Sequence, residues 1–382
     1  MHLYALLAAL TVPVLAQDAN TTYITGLNNV LSGMGLTSLV GVINLLANDT
    51  NGGTALISQL SHGENTIFAP TNDAFGRLPH DPTGDNGLLA AHTLYHIADG
   101  HYNASDIAQQ PNHTVIRTHL NDSSLVNLEG GKGQVLVLAR DGSNIHILPA
   151  NGSINVQRTN AYENLIIHVI DQAFSPPGNI SETAGEAGFS VVTGALQTVN
   201  LLAPLEAAQG ITIFVPTNQA FNAAHTAFGS HAHNASTISA ILANHVINGT
   251  SVYSTGLTAQ SYASAGGQPF TFSTNSSGTY VTSGPSSARI TRADVPIRNG
   301  VVHLIDNILV NTASNPEAAA SAIASQSSVA ATATSIPGSI SGGSSSSSNS
   351  SPRAAGAFSG VAALFPVVAT GMGALLGGLL IF

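Results

Sequence analysis

The chain of 382 residues has no cysteine and no tryptophan, and Lys132 is its only lysine. Without cysteine it forms no disulfide and offers no thiolate to a metal or a substrate, so its domains must hold by packing and hydrogen bonding alone. Charge is scarce as well: 7% of residues are charged, with 9 Lys and Arg against 19 Asp and Glu, a formal balance of −10. A nucleic-acid partner needs a basic face, which this composition does not supply. Catalytic signatures are also missing. There is no G-x-S-x-G elbow, no H-E-x-x-H pair and no G-x-x-x-x-G-K-[ST] loop. The length still allows two or three domains, each large enough to bury a core.

What the chain does contain is a duplication. The stretch TIFAPTNDAF, Thr66 to Phe75, returns as TIFVPTNQAF, Thr212 to Phe221. Each copy begins as a β-branched and aromatic strand, is stopped by Pro70 or Pro216, and passes into a helix. Thr71 and Asn72, and Thr217 and Asn218, carry oxygens that suit the first free amides of that helix. A second motif closes each copy: LIIHVIDQAF, Leu165 to Phe174, matches VVHLIDNIL, Val301 to Leu309. Pro70 lies 101 positions before Asp171, and Pro216 lies 90 before Asp306. Two similar domains in tandem follow from this arrangement.

With the T-[IV]-F-[AV]-P-T-N-x-A-F joint and the [VI]-H-[VL]-I-D closure each present twice and in order, the sequence resembles the fasciclin domain family. The resemblance implies an α+β fold: two tandem fasciclin-like domains, each a β-sandwich or wedge with helices packed at one side, at residues 20–175 and 186–312. It also implies use at cell surfaces. The family's tyrosine–histidine pair, which that resemblance connects with adhesion in animal members, is kept at Tyr95-His96 and becomes Asn244-His245 in the second copy.

The remaining pattern fits this frame. Apolar residues at helical spacing between Tyr23 and Leu60, including Leu36, Leu39, Val42, Ile43 and Leu46, predict two helices. Val192, Leu196, Val199 and Leu202 predict their counterparts. Hairpins are expected around Arg140-Asp141-Gly142 and around Asn275-Ser276-Ser277, and Gly130-Gly131-Lys132-Gly133 reads as a third turn. The connection from Ser175 to Ala187, with Pro176-Pro177, predicts limited freedom between the domains.

The ends differ from the middle. Residues 1–16 read as a secretory signal peptide. Residues 313–351 turn to Ala, Ser, Thr and Gly, with Glu317 the only charge, and read as a flexible, O-glycosylated stalk. Residues 352–382 are a short spacer and an apolar tail, the pattern of a glycosylphosphatidylinositol (GPI) anchor signal with attachment at Asn349 or Ser350. Asn-x-Ser/Thr acceptors occur at Asn20, Asn48, Asn103, Asn112, Asn121, Asn151, Asn179, Asn234, Asn248, Asn275 and Asn349. Sugars are therefore expected to supply solubility that charge does not.

Histidine is the one enriched titratable residue. His92 and His96 are four apart on a predicted helix, and His225, His231 and His233 cluster in an expected loop, spacings that could hold a metal. Neither group has a cysteine or a placed carboxylate nearby, so the expectation is structural: His96 and His245 hydrogen-bonded inside the fold, His92 facing away from the core, and no cofactor. His168 and His303 are expected to make structural hydrogen bonds. Asp171 and Asp306, in apolar strands, must be paired or hydrogen-bonded. The resulting expectation is a non-enzymatic, GPI-anchored surface glycoprotein for adhesion or cell-wall organisation. Its partners would be wall polysaccharide or surface glycoproteins, with the membrane reached through the lipid anchor. The alternative, implied by the resemblance to some fungal members, is an auxiliary fasciclin-like protein assisting a secreted laccase-like multicopper oxidase in the oxidative coupling of aromatic polyketide-pigment or secondary-metabolite intermediates.

Overall fold

The computed structural model describes residues 12–47, 53–77, 84–228, 235–333 and 335–336. Asn48, Asn234, His231, His233, the anchor site at Asn349 or Ser350, the tail at 352–382 and most of the expected signal peptide lie outside the described residues. Among those described, no helix is long and apolar enough to cross a membrane.

Three helices, not two, precede the first sheet: α1 (Val12–Gly33), α2 (Thr37–Ala47) and α3 (Gly53–Ser61). Gly35 makes the first break, adopting φ 75 while the Leu36 amide turns back to the Leu31 carbonyl. Leu39, Val42, Ile43 and Leu46 are buried as their spacing predicts. The chain continues through β1 (Asn65–Pro70), α4 (Asn72–Phe75), α5 (Asn86–Tyr95), β2 (Ile97–Asp99), β3 (Thr114–Arg117), β4 (Val135–Asp141), β5 (Asn144–Ile147), β6 (Ile154–Tyr162) and β7 (Leu165–Ile170).

The second copy begins earlier than its connection suggests, because residues 180–187 form a helix rather than a linker. This is α6 (Ile180–Ala187), capped by Asn179 and Glu182 in a reciprocal box. Its Ile180, Ala184 and Ala187 belong to the second domain's core. Then follow α7 (Ser190–Thr198), α8 (Leu202–Ala207), β8 (Ile211–Pro216), α9 (Asn218–Phe228), α10 (Ala235–Ala243), β9 (Val246–Asn248), β10 (Tyr262–Ala263), β11 (Pro269–Asn275), β12 (Gly278–Ser283), β13 (Ser286–Ile297) and β14 (Gly300–Ile305).

Each domain holds one seven-stranded sheet, ordered β2-β1-β7-β6-β5-β4-β3 in the first and β10-β11-β12-β13-β14-β8-β9 in the second. Read from the short strand after the histidine helix, the two orders are the same. The joint strand and the closing strand pair in parallel in both copies, Phe68 beside His168 and Phe214 beside His303. Both expected hairpins form, β4 with β5 and β11 with β12. The first sheet has two covered faces. Ile67 and Ala69 meet the helices, whereas Phe68 meets Ile116, Leu136 and Ile145 from the sheet's far half. Register shifts in β6 and β13 mark where each sheet bends over itself into a wedge.

The domains meet face to face. In β3 and β4, Ile116, Leu136 and Leu138 point into the domain's own core, and Val115, Val135 and Val137 point outward onto Tyr253 and Val301 of the second domain. Polar groups close the seam. Gln134 Nε2 donates to the Ile297 carbonyl at 3.1 Å, and the Asn127 amide to the Arg298 carbonyl at 2.9 Å. The buried Glu129 carboxylate accepts from the Ser251 amide and hydroxyl at 3.2 and 2.8 Å. His113 Nδ1 lies 2.8 Å from Asp294, a buried carboxylate on a backbone of φ 61 that also accepts from the Ser254 amide and hydroxyl. Burial alone would raise the Asp294 carboxyl, but donors on His113 and Ser254 and the nearby His303 hold it below the ordinary value.

The expected stalk is also corrected over its first half. Residues 316–332 form α11 (Pro316–Thr332), capped by the Asn315 side chain on the Ala318 amide, with Pro316 in its first turn. It rests on backbone rather than on large side chains. A Cβ on Gly249 would fall 2.2 Å from Ser327 Oγ, one on Gly267 2.1 Å from the Asn315 carbonyl, and one on Gly130 3.0 Å from Ala331 Cα. Gly130 and Lys132 therefore receive a helix instead of turning a hairpin, and Lys132 Nζ donates to the Ala330 carbonyl. That places the only lysine at the negative end of the helix dipole. Beyond α11, Ile336 is buried in the interdomain cluster with Val115, Val135 and Val301.

Candidate functional site

The two joints use their polar residues in a way the local sequence conceals. Thr71 and Thr217 cap their own helices, each hydroxyl accepting at 3.2 Å from the amide of Ala74 or Ala220. Asn72 and Asn218 cap a different helix. Asn72 Oδ1 accepts from the Ser38 amide at 2.9 Å at the start of α2, and Asn218 Oδ1 from the Val191 amide at 3.0 Å at the start of α7. The strand threonines do similar long-range work: Thr66 Oγ1 bridges the Gly100 carbonyl and the Tyr102 amide, as Thr212 Oγ1 bridges the Thr250 carbonyl and the Val252 amide.

The four motif histidines are likewise engaged. His96 Nδ1 donates to the His92 carbonyl at 2.8 Å, and its Nε2 accepts from the Phe174 amide at 3.3 Å. His245 repeats this with the Ile241 carbonyl at 2.7 Å and the Leu309 amide at 2.9 Å. Both rings are thus neutral Nδ1–H tautomers that tie helix end to closing motif, and burial pulls both pKa values down to about 4. His168 Nε2 donates to the Tyr102 carbonyl and His303 Nε2 to the Val252 carbonyl, each at 2.8 Å. Asp171 and Asp306 do not sit within their apolar strands; they follow the last strand residue near solvent. Asp171 accepts from the Asn155 amide at 3.1 Å and Asp306 from the Arg289 amide at 2.8 Å, each fastening the neighbouring strand.

One position departs from the tyrosine–histidine motif for a visible reason. Tyr95 donates to the Val135 carbonyl at 3.1 Å, inside the first domain. Asn244, which replaces the tyrosine, is fully buried, and its Nδ2 donates to the carbonyls of Asn311 and Ala313 at 2.9 and 2.8 Å. Its Oδ1 accepts from the Ser264 hydroxyl at 2.6 Å. The substitution fixes the chain that leads into α11.

Against this background one concave site stands out. In the first domain, between α2, α5 and the joint, a cleft opens whose walls include Leu39, Ile43, Phe75 and Leu89. One side is a flat slab, the His96 ring stacked on Phe174 with centroids 3.9 Å apart and planes at 9°. His92 also borders it, half-buried rather than facing away from the core, its pKa lowered by burial. Thr93 lines the cleft too, but its hydroxyl is spent on the Leu89 carbonyl at 2.8 Å. The spacing of His92 and His96 does not make a metal pair, since both His96 nitrogens are engaged, and His225 lies on α9 rather than in the expected loop. Among the described residues no group of three or more histidine, aspartate or glutamate side chains is placed to hold a metal.

The acceptor asparagines divide by exposure. Asn103, Asn112, Asn121, Asn151 and Asn275 are exposed, and Asn179 and Asn248 are half-buried. Asn20 lies on α1.

The fasciclin domain model matches the chain twice, over residues 46–176 and 187–311. The chain is similar to a fasciclin-like arabinogalactan protein of Arthroderma benhamiae, at 27% identity over 252 residues, covering 64% of this chain and 58% of that one. It is similar to the fasciclin-like arabinogalactan protein elcF of Phaeosphaeria nodorum, at 25% identity over 64% of this chain and 77% of that one. A third relative, fasciclin-like arabinogalactan protein CTB11 of Cercospora beticola, is 26% identical over 67% of this chain and 70% of its own length. Among solved structures, the FAS1 domain pair from the insect cell adhesion molecule fasciclin I is matched over 72% of this chain and 97% of that chain, at 18% identity and a TM-score of 0.35.

Proposed function

The chain belongs to the fasciclin domain family, and from that premise we propose that it is a non-enzymatic surface glycoprotein that works in adhesion or cell-wall organisation. A signal peptide would send it into the secretory pathway, and a GPI anchor attached at Asn349 or Ser350 would hold it to the outer face of the plasma membrane. The observation that carries this reading is where the motif side chains point. Thr71, Asn72, His96, His168 and their second-domain counterparts are all engaged in hydrogen bonds within the fold. Recognition then falls to the outer surfaces of a fused domain pair and to the sugars on its exposed asparagines. Wall polysaccharide and surface glycoproteins are the partners this favours.

The apolar cleft favours a second reading, an auxiliary protein beside a secreted multicopper oxidase that hands over aromatic intermediates. Affinity capture with the glycosylated ectodomain, from the wall and secreted fractions of its own organism, separates the two. Retention of polysaccharide or surface glycoproteins supports adhesion, and selective retention of an oxidase replaces it with the second reading. Release of the protein from intact cells by a phosphatidylinositol-specific phospholipase tests the anchor.

A further inference from the structure

We propose that α11 and Ile336 form a strap that carries a pull on the C-terminal side of the chain across the seam to the first domain, bypassing β14, the closing strand of the second. The strap runs from one domain to the other. At its root the Asn315 amide donates to the Gly266 carbonyl at 2.8 Å, beside the seat at Gly267 in the second domain. Midway it lies on Gly249, and Gln326 Nε2 donates at 3.4 Å to the Ala263 carbonyl of the edge strand β10. Its far end belongs to the first domain, where Gly130 faces Ala331 and Lys132 Nζ donates to the Ala330 carbonyl. Ile336 then enters the cluster of Val115, Val135 and Val137 with Tyr253 and Val301, which both domains share.

The first domain has a loop that receives the strap. Between β3 and β4 the chain takes residues 118–134, whereas between the equivalent strands β10 and β11 it takes only 264–268. The longer loop is used on its neighbours: the Leu128 carbonyl accepts from Gln209, Glu129 binds Ser251, Gln134 holds the Ile297 carbonyl, and Lys132 holds α11. The shorter loop carries the root of α11 instead. A force applied beyond Ile336 therefore meets the first domain before it meets the second. β14 lies between β13 and β8 and precedes α11 in the chain, so it is loaded only after the strap has come away. The strap yields first because its contacts break one at a time from Ile336 toward Asn315, and α11 buries only Ala319 and Ala330. Below that load the pull passes to the first domain. Above it the chain gains length while both sheets stay intact.

This inference rests on the anchored reading, in which the chain is held from its C-terminal side, and the test applies the pull directly. The chain has no cysteine, so Asp18→Cys and Ser345→Cys give the glycosylated ectodomain two unique points for the handles of optical tweezers. The first event on stretching should be a reversible lengthening of about 5 nm, the contour released when residues 314–336 pass from docked to extended, ahead of either sheet. Lys132→Ala and Gly249→Ala should each speed that event at least tenfold at a given force and leave the later events unchanged. Thermal midpoints matched to the wild type show that both variants fold. Deleting 316–332 should abolish the short event and speed the unfolding of the second domain at least tenfold at the same force. A first event that already unfolds a sheet overturns the proposal, as does a short event indifferent to both substitutions. Failure of the phospholipase to release the protein from cells, with the short event intact, would overturn the anchored reading while the strap stands.

Discussion

Replacing Asn244 with alanine removes one side chain, takes the donor from the Asn311 and Ala313 carbonyls, and leaves the Ser264 hydroxyl only its bond from the Gln268 amide. A buried polar group left without a partner costs about 1–3 kcal/mol. Ala313 is exposed and can rehydrate, so the net loss should be about 2–3 kcal/mol. The damage should be local to α11. That helix buries only Ala319 and Ala330, small side chains worth little by area, and a free 17-residue helix is marginal in water. Loosening its root at residues 311–315 should release it from Gly267, Gly249 and Gly130 in turn. Hydrogen exchange of wild type and Asn244→Ala reads this directly. Protection should fall across residues 311–333 and hold in β8 and β14, with a lower urea midpoint. Unchanged protection of α11 together with a global loss of stability would show that Asn244 merely fills the second core, and a stability change under ~0.5 kcal/mol would refute the anchor altogether.

His96 and His245, with folded pKa values of about 4, should make the protein acid-sensitive in a defined window. Unfolded histidines titrate near 6.5, so stability is full above that pH and falls as pH drops toward 4, by ~3 kcal/mol for each ring. His168 and His303, also lowered by burial, act in the same direction, and a flat urea midpoint between pH 7 and 4.5 would contradict this. His113→Ala takes a donor from the buried Asp294 carboxylate and should cost about 1–3 kcal/mol. A double-mutant cycle with Asp294→Asn should show coupling across the domain seam, and strict additivity would argue against the contact. Deglycosylation in heavy-oxygen water with peptide mass spectrometry should label Asn103, Asn112, Asn121, Asn151 and Asn275. Unlabelled peptides at most of these positions would mean that the exposed turns carry no sugars.

The local chemistry of the fold was legible in the linear chain. Alternating β-branched residues, a proline stop and a capping threonine each act through neighbouring backbone, so TIFAPTNDAF and TIFVPTNQAF specify their strand–cap–helix joints wherever they sit. The repeat, the hairpins and the helical stripes follow from the same short-range rules. One longer-range fact was also written there. The apolar run of VLVLA in β4, against the mixed TFST of β11, marks a strand covered on both faces, and the covering surface is the second domain. Which distant groups meet was decided only by the tertiary structure. Asn72 reads as a cap for its own helix because the start of α2 is close only in space, and Tyr95 and Asn244 differ because only the second has an exit segment to hold. Residues 316–332 read as a stalk because α11 packs small side chains onto glycine backbone, which leaves no hydrophobic period. Its seats at Gly130, Gly249 and Gly267 come from both domains, and no local pattern connects them. The cleft has the same origin: His92 and Ala173 stand far apart in the chain, and only the fold brings them to line one gap.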